Sequence, residues 1–284
     1  LANMAQSSLA TDVIWPTVRA LITATLDEDE KSVRSYLRPR SNSADTYDLF
    51  GLIAIEILLK TVLDRNDVAL ARVISTEQGK RVFVEFVWVE NGQSSTEYGP
   101  AETVTVALQP YRKQWRVADI NPSTLEQWLT SPTARGLLSN LMEANEGRIP
   151  QESWVLPFAF MGGAMRLAFR PKALRDEVEE LLLPGMLERG YGPSALVGGR
   201  RLWRAYVKAA SPEIGRAALW AAAVEFLMSE QALIDTPQAF VGKQYSVNLV
   251  QLLPRIRLIR ERLKIDGLDD RFSPVHGVNI VTDG

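Results

Sequence analysis

Residues 81–120 read RVFVEFVWVENGQSSTEYGPAETVTVALQPYRKQWRVADI, and this stretch decides the fold class. Short runs rich in Val, Phe, Trp and Thr alternate with turn signals, which is the pattern of strands and not of helices. Arg81–Glu90, Ala101–Leu108 and Gln114–Ile120 are predicted strands, and Val68–Ser75 just upstream is a fourth. The links are Gln78-Gly79-Lys80, Asn91-Gly92, Gly99-Pro100 and, after Pro110, Tyr111-Arg112-Lys113. Links this short favour antiparallel neighbours, since a parallel pair needs a crossover of roughly a dozen residues or more. Alternation in Thr103-Val104-Thr105-Val106 and in Trp115-Arg116-Val117 predicts one buried face per strand.

Upstream the periodicity is helical. Val13–Leu26 sets Val13, Val18, Leu21, Ile22 and Leu26 on one apolar face, with Pro16 tolerated in the first turn. Glu28–Leu37 is a second predicted helix, closed by Arg38-Pro39. Asp45 is the expected cap of a third, running to about Leu63 and apolar nearly all round, hence buried. Three helices and a four-stranded antiparallel sheet make an α+β domain with its helices on one side. This order of elements, with the closing strand QWRVADINPS, resembles the nuclear transport factor 2-like cone fold over residues 10–122. The resemblance implies a curved sheet wrapped around helices, often with an apolar pocket. Enzymatic members, ketosteroid-isomerase-like and scytalone-dehydratase-like, need Asp, His or Tyr in that pocket. Here there is no histidine, and Glu85 and Asp119 are the only acids well inside candidate strands. A solvent-facing or hydrogen-bonded role is favoured for each over that of a general base. Members that bind partners or small molecules are the better match.

Composition narrows the chemistry. The chain has 284 residues, which makes two domains the natural expectation. Net charge is −2, so any nucleic-acid affinity must come from a local basic patch. Cysteine is absent, which excludes disulfides, thiol catalysis and thiolate metal sites. The single histidine, His276, cannot build a histidine-rich metal centre. Neither a catalytic, a cofactor-binding nor a metal-binding motif is recognisable, so no cofactor is expected. The longest apolar stretches, Leu49–Leu59 and Leu219–Met228, fall short of a membrane span and each carries a glutamate. No signal peptide is visible, Met4 is a candidate natural start, and the expected location is cytoplasmic.

Residues 123–157, punctuated by proline and glycine, read as a connector with short helices at Leu125–Leu129 and Ala134–Glu143. Residues 158–265 read as an all-helical domain and 266–284 as an extended tail. Predicted helices are Ala173–Leu183, ended by Pro184, then Ala195–Ala209, then Ile214–Ser229 started by Ser211-Pro212-Glu213. Gly162-Gly163 and Gly198-Gly199 lack phosphate-loop spacing and are read as helix packing or turns. Acidic Asp27-Glu28-Asp29-Glu30 is read as a helix start and not as a calcium loop.

Within residues 236–265, TPQAFVGKQYSVNLVQLLPRIRLIRERLKI, Gln238, Val241, Gly242, Tyr245, Val247, Asn248 and Leu252 stand at informative spacings. The pattern Q-x-x-V-G-x-x-Y-x-V-N-x-x-x-L resembles bacterial helix-turn-helix units. The resemblance implies that Gly242 lets two helices cross closely, Val247 plugs the core, and Asn248 caps the recognition helix. It also implies that Ala218–Met228 is the supporting helix. A DNA reader projects polar side chains from its first turns into the major groove, whereas here those turns hold Leu249, Val250, Leu253 and Pro254. Only Asn248 and Gln251 could bond a base edge there, and Pro254 is expected to kink or restart the helix. A surface turned over to packing is therefore preferred to an active reader.

Downstream, Leu252, Ile256, Ile259 and Leu263 form an apolar stripe. Arg255, Arg257, Arg260, Arg262 and Lys264, opposed by Glu261, give +4 across residues 255–264. With Lys243, Asn248 and Gln251, these basic residues are the candidate nucleic-acid contacts, and phosphate contacts of this kind carry no sequence information. The alternative is a solvated or internally salt-bridged face, for which Asp176–Leu183 supplies the acids. The expected function is a non-enzymatic binding or regulatory protein acting through protein contacts, self-association or weak non-specific DNA binding. A sequence-specific transcriptional regulator and a hydrolyase or isomerase using the first domain's pocket are the alternatives.

Overall fold

The computed structural model describes residues 13–62, 65–76, 80–90, 103–122, 164 and 167–273. They fall into two compact units, one holding the described residues up to Phe169 and the other beginning at Arg170. The architecture is α+β, a helical segment and a four-stranded antiparallel sheet followed by an all-helical region. The predicted connector helices, Gly162-Gly163, the Asn91-Gly92 and Gly99-Pro100 turns and His276 lie outside the described residues.

The first unit opens with α1 (Trp15–Leu26), α2 (Glu30–Tyr36), α3 (Asn42–Phe50) and α4 (Leu52–Leu59). The expected single helix over Asp45–Leu63 is thus two. Its cap is Ser41, whose hydroxyl accepts from Ala44 N–H at 3.3 Å, and it breaks at Gly51, whose φ of 72° suits glycine. The apolar run continues through the break, and for that reason the periodicity hides it. The strands β1 (Asp67–Ser75), β2 (Val82–Val89), β3 (Val104–Tyr111) and β4 (Gln114–Pro122) pair in sequence order. Ala71 on β1 and Ala118 on β4 are the extra residues of two bulges, which bend a strand and raise its twist. Pro110 lies within β3, beyond the last residue paired to β2, where its missing N–H costs no ladder bond on that side.

One buried face per strand does not hold for β2, which is buried along its whole length. It is an inner strand, and Phe86 packs on Trp15 with ring centres 6.2 Å apart. Trp88 anchors the same face by donating its indole N–H to the Leu59 carbonyl at 2.7 Å. On the other face Glu85 takes a two-point ion pair from Arg72 on β1, with Nε to Oε2 at 2.5 Å. Asp119 accepts from Asn42 Nδ2 at 3.1 Å, tying β4 to the start of α3. Both buried acids of the strands are therefore hydrogen-bonded.

The second unit holds α5 (Glu177–Glu188), α6 (Pro193–Ala210), α7 (Ala217–Gln231), α8 (Gln238–Gln244) and α9 (Leu249–Leu263). Central α7 packs against all four others and is buried everywhere except at Ala218 and Glu230. Contrary to expectation, α5 starts at the Asp176 cap and runs through Pro184 to Glu188. Pro184 removes the N–H that would bond the Glu180 carbonyl, and burial of Met186 and Leu187 beyond it holds the helix together. Likewise Ser211 does not start a helix. It ends α6 in the left-handed region, at φ 44°, and α7 begins at Ala217. Gly198-Gly199 is a packing device, since a side-chain carbon at Gly198 would sit 2.4 Å from the Phe272 carbonyl oxygen. The start of the expected extended tail is folded back. Gln231 grips Gly267 and Asp269 at 2.8 and 2.7 Å, and Phe272 is buried.

Candidate interaction surface on the last helix pair

Helices α8 and α9 are joined by the four residues Tyr245–Asn248, each of which has a structural task. Gly242 lies so close to the turn that a side-chain carbon there would be 2.9 Å from the Val247 carbonyl oxygen. Val247 is buried, and Ser246 takes the left-handed conformation at φ 53°. Asn248 Oδ1 accepts from Gln251 N–H at 2.9 Å, satisfying one exposed donor of the first turn of α9. From outside, Arg216 donates to the Ser246 carbonyl at 2.8 Å.

A buried polar cluster holds this turn against α7. Arg189 Nε meets Glu225 Oε1 at 2.6 Å and its Nη2 meets Oε2, while the Tyr245 hydroxyl donates to Oε2. The same guanidinium reaches the Tyr245 oxygen at 2.8 Å. Burial pushes the Tyr245 hydroxyl far up, and the neighbouring Glu225 carboxylate pushes it further. Tyr191 is raised by burial first and then by Glu225. Burial works to lower Arg189, but the hydrogen bond and charge of Glu225 outweigh it and hold the guanidinium above its ordinary value.

Helix α9 has two unlike faces. Leu252, Ile256, Ile259 and Leu263 are buried against the unit. On the flank of this stripe Leu249 is 39% and Leu253 42% exposed, and on the far side Val250 is 83% exposed with Pro254 and Leu258 exposed beside it. At i, i+4 spacing, Leu249, Leu253 and Arg257 form one ridge and Val250, Pro254 and Leu258 the next. The first ridge ends at Glu261, while Arg260 and Lys264 end the neighbouring row that begins with Leu252 and Ile256, so the start of the helix is apolar and its end is charged, with basic residues in excess. The helix runs through Pro254 without restarting. The carbonyl left without a helical donor is that of Val250, a residue on the exposed side of the helix. The apolar first turns are thus partly to largely exposed to solvent.

The eight candidate contact residues do not form one patch. Lys243 is exposed at the end of α8. Asn248 is committed as the cap, and Gln251 Oε1 lies 3.5 Å from Arg216 Nη1. Arg255 stacks over the Trp220 ring at 4.9 Å, and Arg262 Nε donates to the Ala209 carbonyl at the end of α6 at 2.8 Å. These two arginines, seven residues apart, share one flank of the helix. On the other flank Arg260 pairs with Glu230 at 2.6 Å, while Arg257 and Lys264 are exposed. In the Asp176–Leu183 run, the acids engage α6 instead: Glu179 takes Arg204 at 2.5 Å, and Asp176 accepts the Trp203 indole N–H at 2.9 Å. Sequence reasoning missed the Arg189–Glu225 pair, whose partners are 36 residues apart, one just past the end of α5 and the other within α7. The exposure of Leu258 and Phe240 was missed too, although the phase of the buried stripe could have exposed Leu258 as its opposite.

Among the described residues no three His, Asp or Glu side chains are grouped to hold a metal ion, and no helix is long and apolar enough to cross a membrane. No protein family, curated protein or solved structure matches this chain.

Proposed function

We propose that this is a non-enzymatic, cytoplasmic binding or regulatory protein whose second unit docks a protein partner on the exposed face of α9. One observation carries the reading. Leu249, Val250, Leu253 and Pro254 occupy the positions from which a helix-turn-helix unit would read DNA, and they are both apolar and exposed. Such side chains offer a base edge no hydrogen bond and would strip water from nearby phosphates without replacing it. Covering them with protein removes apolar surface from water, the main driving force of most protein association. The polar residues that could read a base are otherwise engaged, Asn248 in capping and Gln251 beside Arg216. In the cone-like reading of the first unit, Glu85 and Asp119 are tied to Arg72 and Asn42, which supports a binding role over acid–base catalysis.

The test combines DNA and dye binding. In gel-shift titrations across salt concentrations, no sequence should outcompete bulk duplex, and Arg255→Ala with Arg257→Ala should flatten whatever salt slope is present. An environment-sensitive apolar dye should lose fluorescence when Val250 and Leu253 are both changed to Asp. A discrete DNA sequence that outcompetes bulk duplex would overturn the proposal.

A further inference from the structure

Resting on that docking face, we infer that its partner is an amphipathic helix with acidic residues beyond its apolar stripe. Three observations point there. From Leu249 to Leu258 the apolar face spans about 14 Å, two to three helical turns. It consists of two parallel ridges at i, i+4 spacing, the relief into which the side-chain rows of a second helix fit. The face is also polarised, because the first ridge passes from Leu249 and Leu253 into Arg257 and Glu261, with Arg260 and Lys264 at the end of the row beside it, an excess of positive charge.

The charge is a local excess on a chain whose net charge is −2. Of the five cations from Arg255 to Lys264, Arg260 is matched by Glu230, and Glu261 offsets one more. Arg257 and Lys264 are exposed beside the apolar residues, with exposed Lys243 on the preceding helix. A partner carrying Asp or Glu past its apolar anchors meets these cations where partial desolvation strengthens the attraction. A second copy of this chain fits poorly. Parallel pairing sets Arg257 and Lys264 against their own copies, and antiparallel pairing about residue 255 sets the charged Arg257 on Leu253 and Glu261 on Leu249. The small contact area places the complex among weak, transient ones, below about 1,200 Å² buried.

The experiment uses the full chain and a displayed library of amphipathic helical peptides. Each has Leu at i, i+3 or i+4, and i+7, with every other position randomised among Glu, Lys, Gln and Ala. Selection is run against the unaltered chain, with depletion on a Leu253→Asp chain. Enriched peptides should be net acidic, lose at least tenfold in affinity on Leu253→Asp, and lose about threefold to tenfold on Arg257→Glu. Raising salt from 50 to 300 mM should weaken them severalfold.

Enrichment of neutral or basic peptides that still depend on Leu253 would overturn the acidic assignment and leave the docking face standing. If no peptide enriches in a Leu253-dependent way, both readings fall. Leu253-dependent binding to duplex DNA, to anionic lipid vesicles or to a second copy, in preference to every peptide, would overturn both as well. Because Leu253 is exposed, circular dichroism and the thermal midpoint of the variant should match the parent, so lost binding cannot be laid to unfolding.

Discussion

Helices α7 and α9 are both fifteen residues long and both rich in apolar residues, yet they are built for opposite surroundings. In α7 the apolar residues go all the way round, and four helices cover them. Around α9 they run from the covered stripe across one flank to the far side, and the unit covers only the stripe. The difference teaches that an apolar residue on a helix is not by itself a core residue. Its phase against the covered stripe decides, and apolar residues out of phase with that stripe lie at the surface.

The comparison is broken most severely at Glu225, the one carboxylate in the middle of α7. Glu225→Ala leaves Arg189 without its counter-charge in a largely buried position and should cost about 3–5 kcal/mol. Thermal or urea unfolding would register this, and a loss under about 1 kcal/mol would mean that water replaces the carboxylate. Next come the neighbours Leu252 and Leu253. Leu252→Ala empties a fully buried site and should cost about 2–5 kcal/mol, while Leu253→Ala should stay within about 0.5–1 kcal/mol. Equal losses would mean that the two faces of α9 are not distinct.

Asn248→Ala should cost about 1 kcal/mol by freeing the Gln251 N–H, and Asn248→Asp should restore it. The smallest effect at neutral pH is in the alkaline limb. Tyr245 and Tyr191 have folded values above the ordinary tyrosine range, so they keep their protons in the fold after the unfolded chain begins losing them near pH 10. Above that pH the folded state binds more protons than the unfolded one. The stabilisation is therefore fully present below about pH 10 and falls as pH rises towards the folded values. Urea midpoints between pH 8 and 11.5 should drop above pH 10, and Tyr245→Phe should drop less steeply. An unchanged alkaline slope in that variant would show that the cluster is open to solvent.

Much of the fold was legible because hydrophobic period is a local property. The four strands were readable from Val, Phe and Thr alternation, and α9 from the stripe Leu252, Ile256, Ile259 and Leu263. Where reading failed, the deciding force was not local. Gly51 breaks a run that is apolar on both sides of it, so nothing in the periodicity marks the break. Pro184 and Pro254 look like terminators by their chemistry, yet packing of the flanking residues carries both helices through. Phe272 is one aromatic residue in a polar tail, and it is buried only because Gly198 leaves room for its backbone.

The sequence by itself determined the α+β class, the absence of cysteine and so of thiol chemistry, and the apolar residues in the first turns of α9. All of these follow from which side chains are present and at what spacing. Only the tertiary structure decided that those apolar residues face solvent and that the basic residues part into two flanks, one turned to Trp220 and Ala209, the other running on from the exposed leucines. Exposure and pairing depend on what lies across a helix from residues far away in the chain, and spacing along one helix carries no record of that.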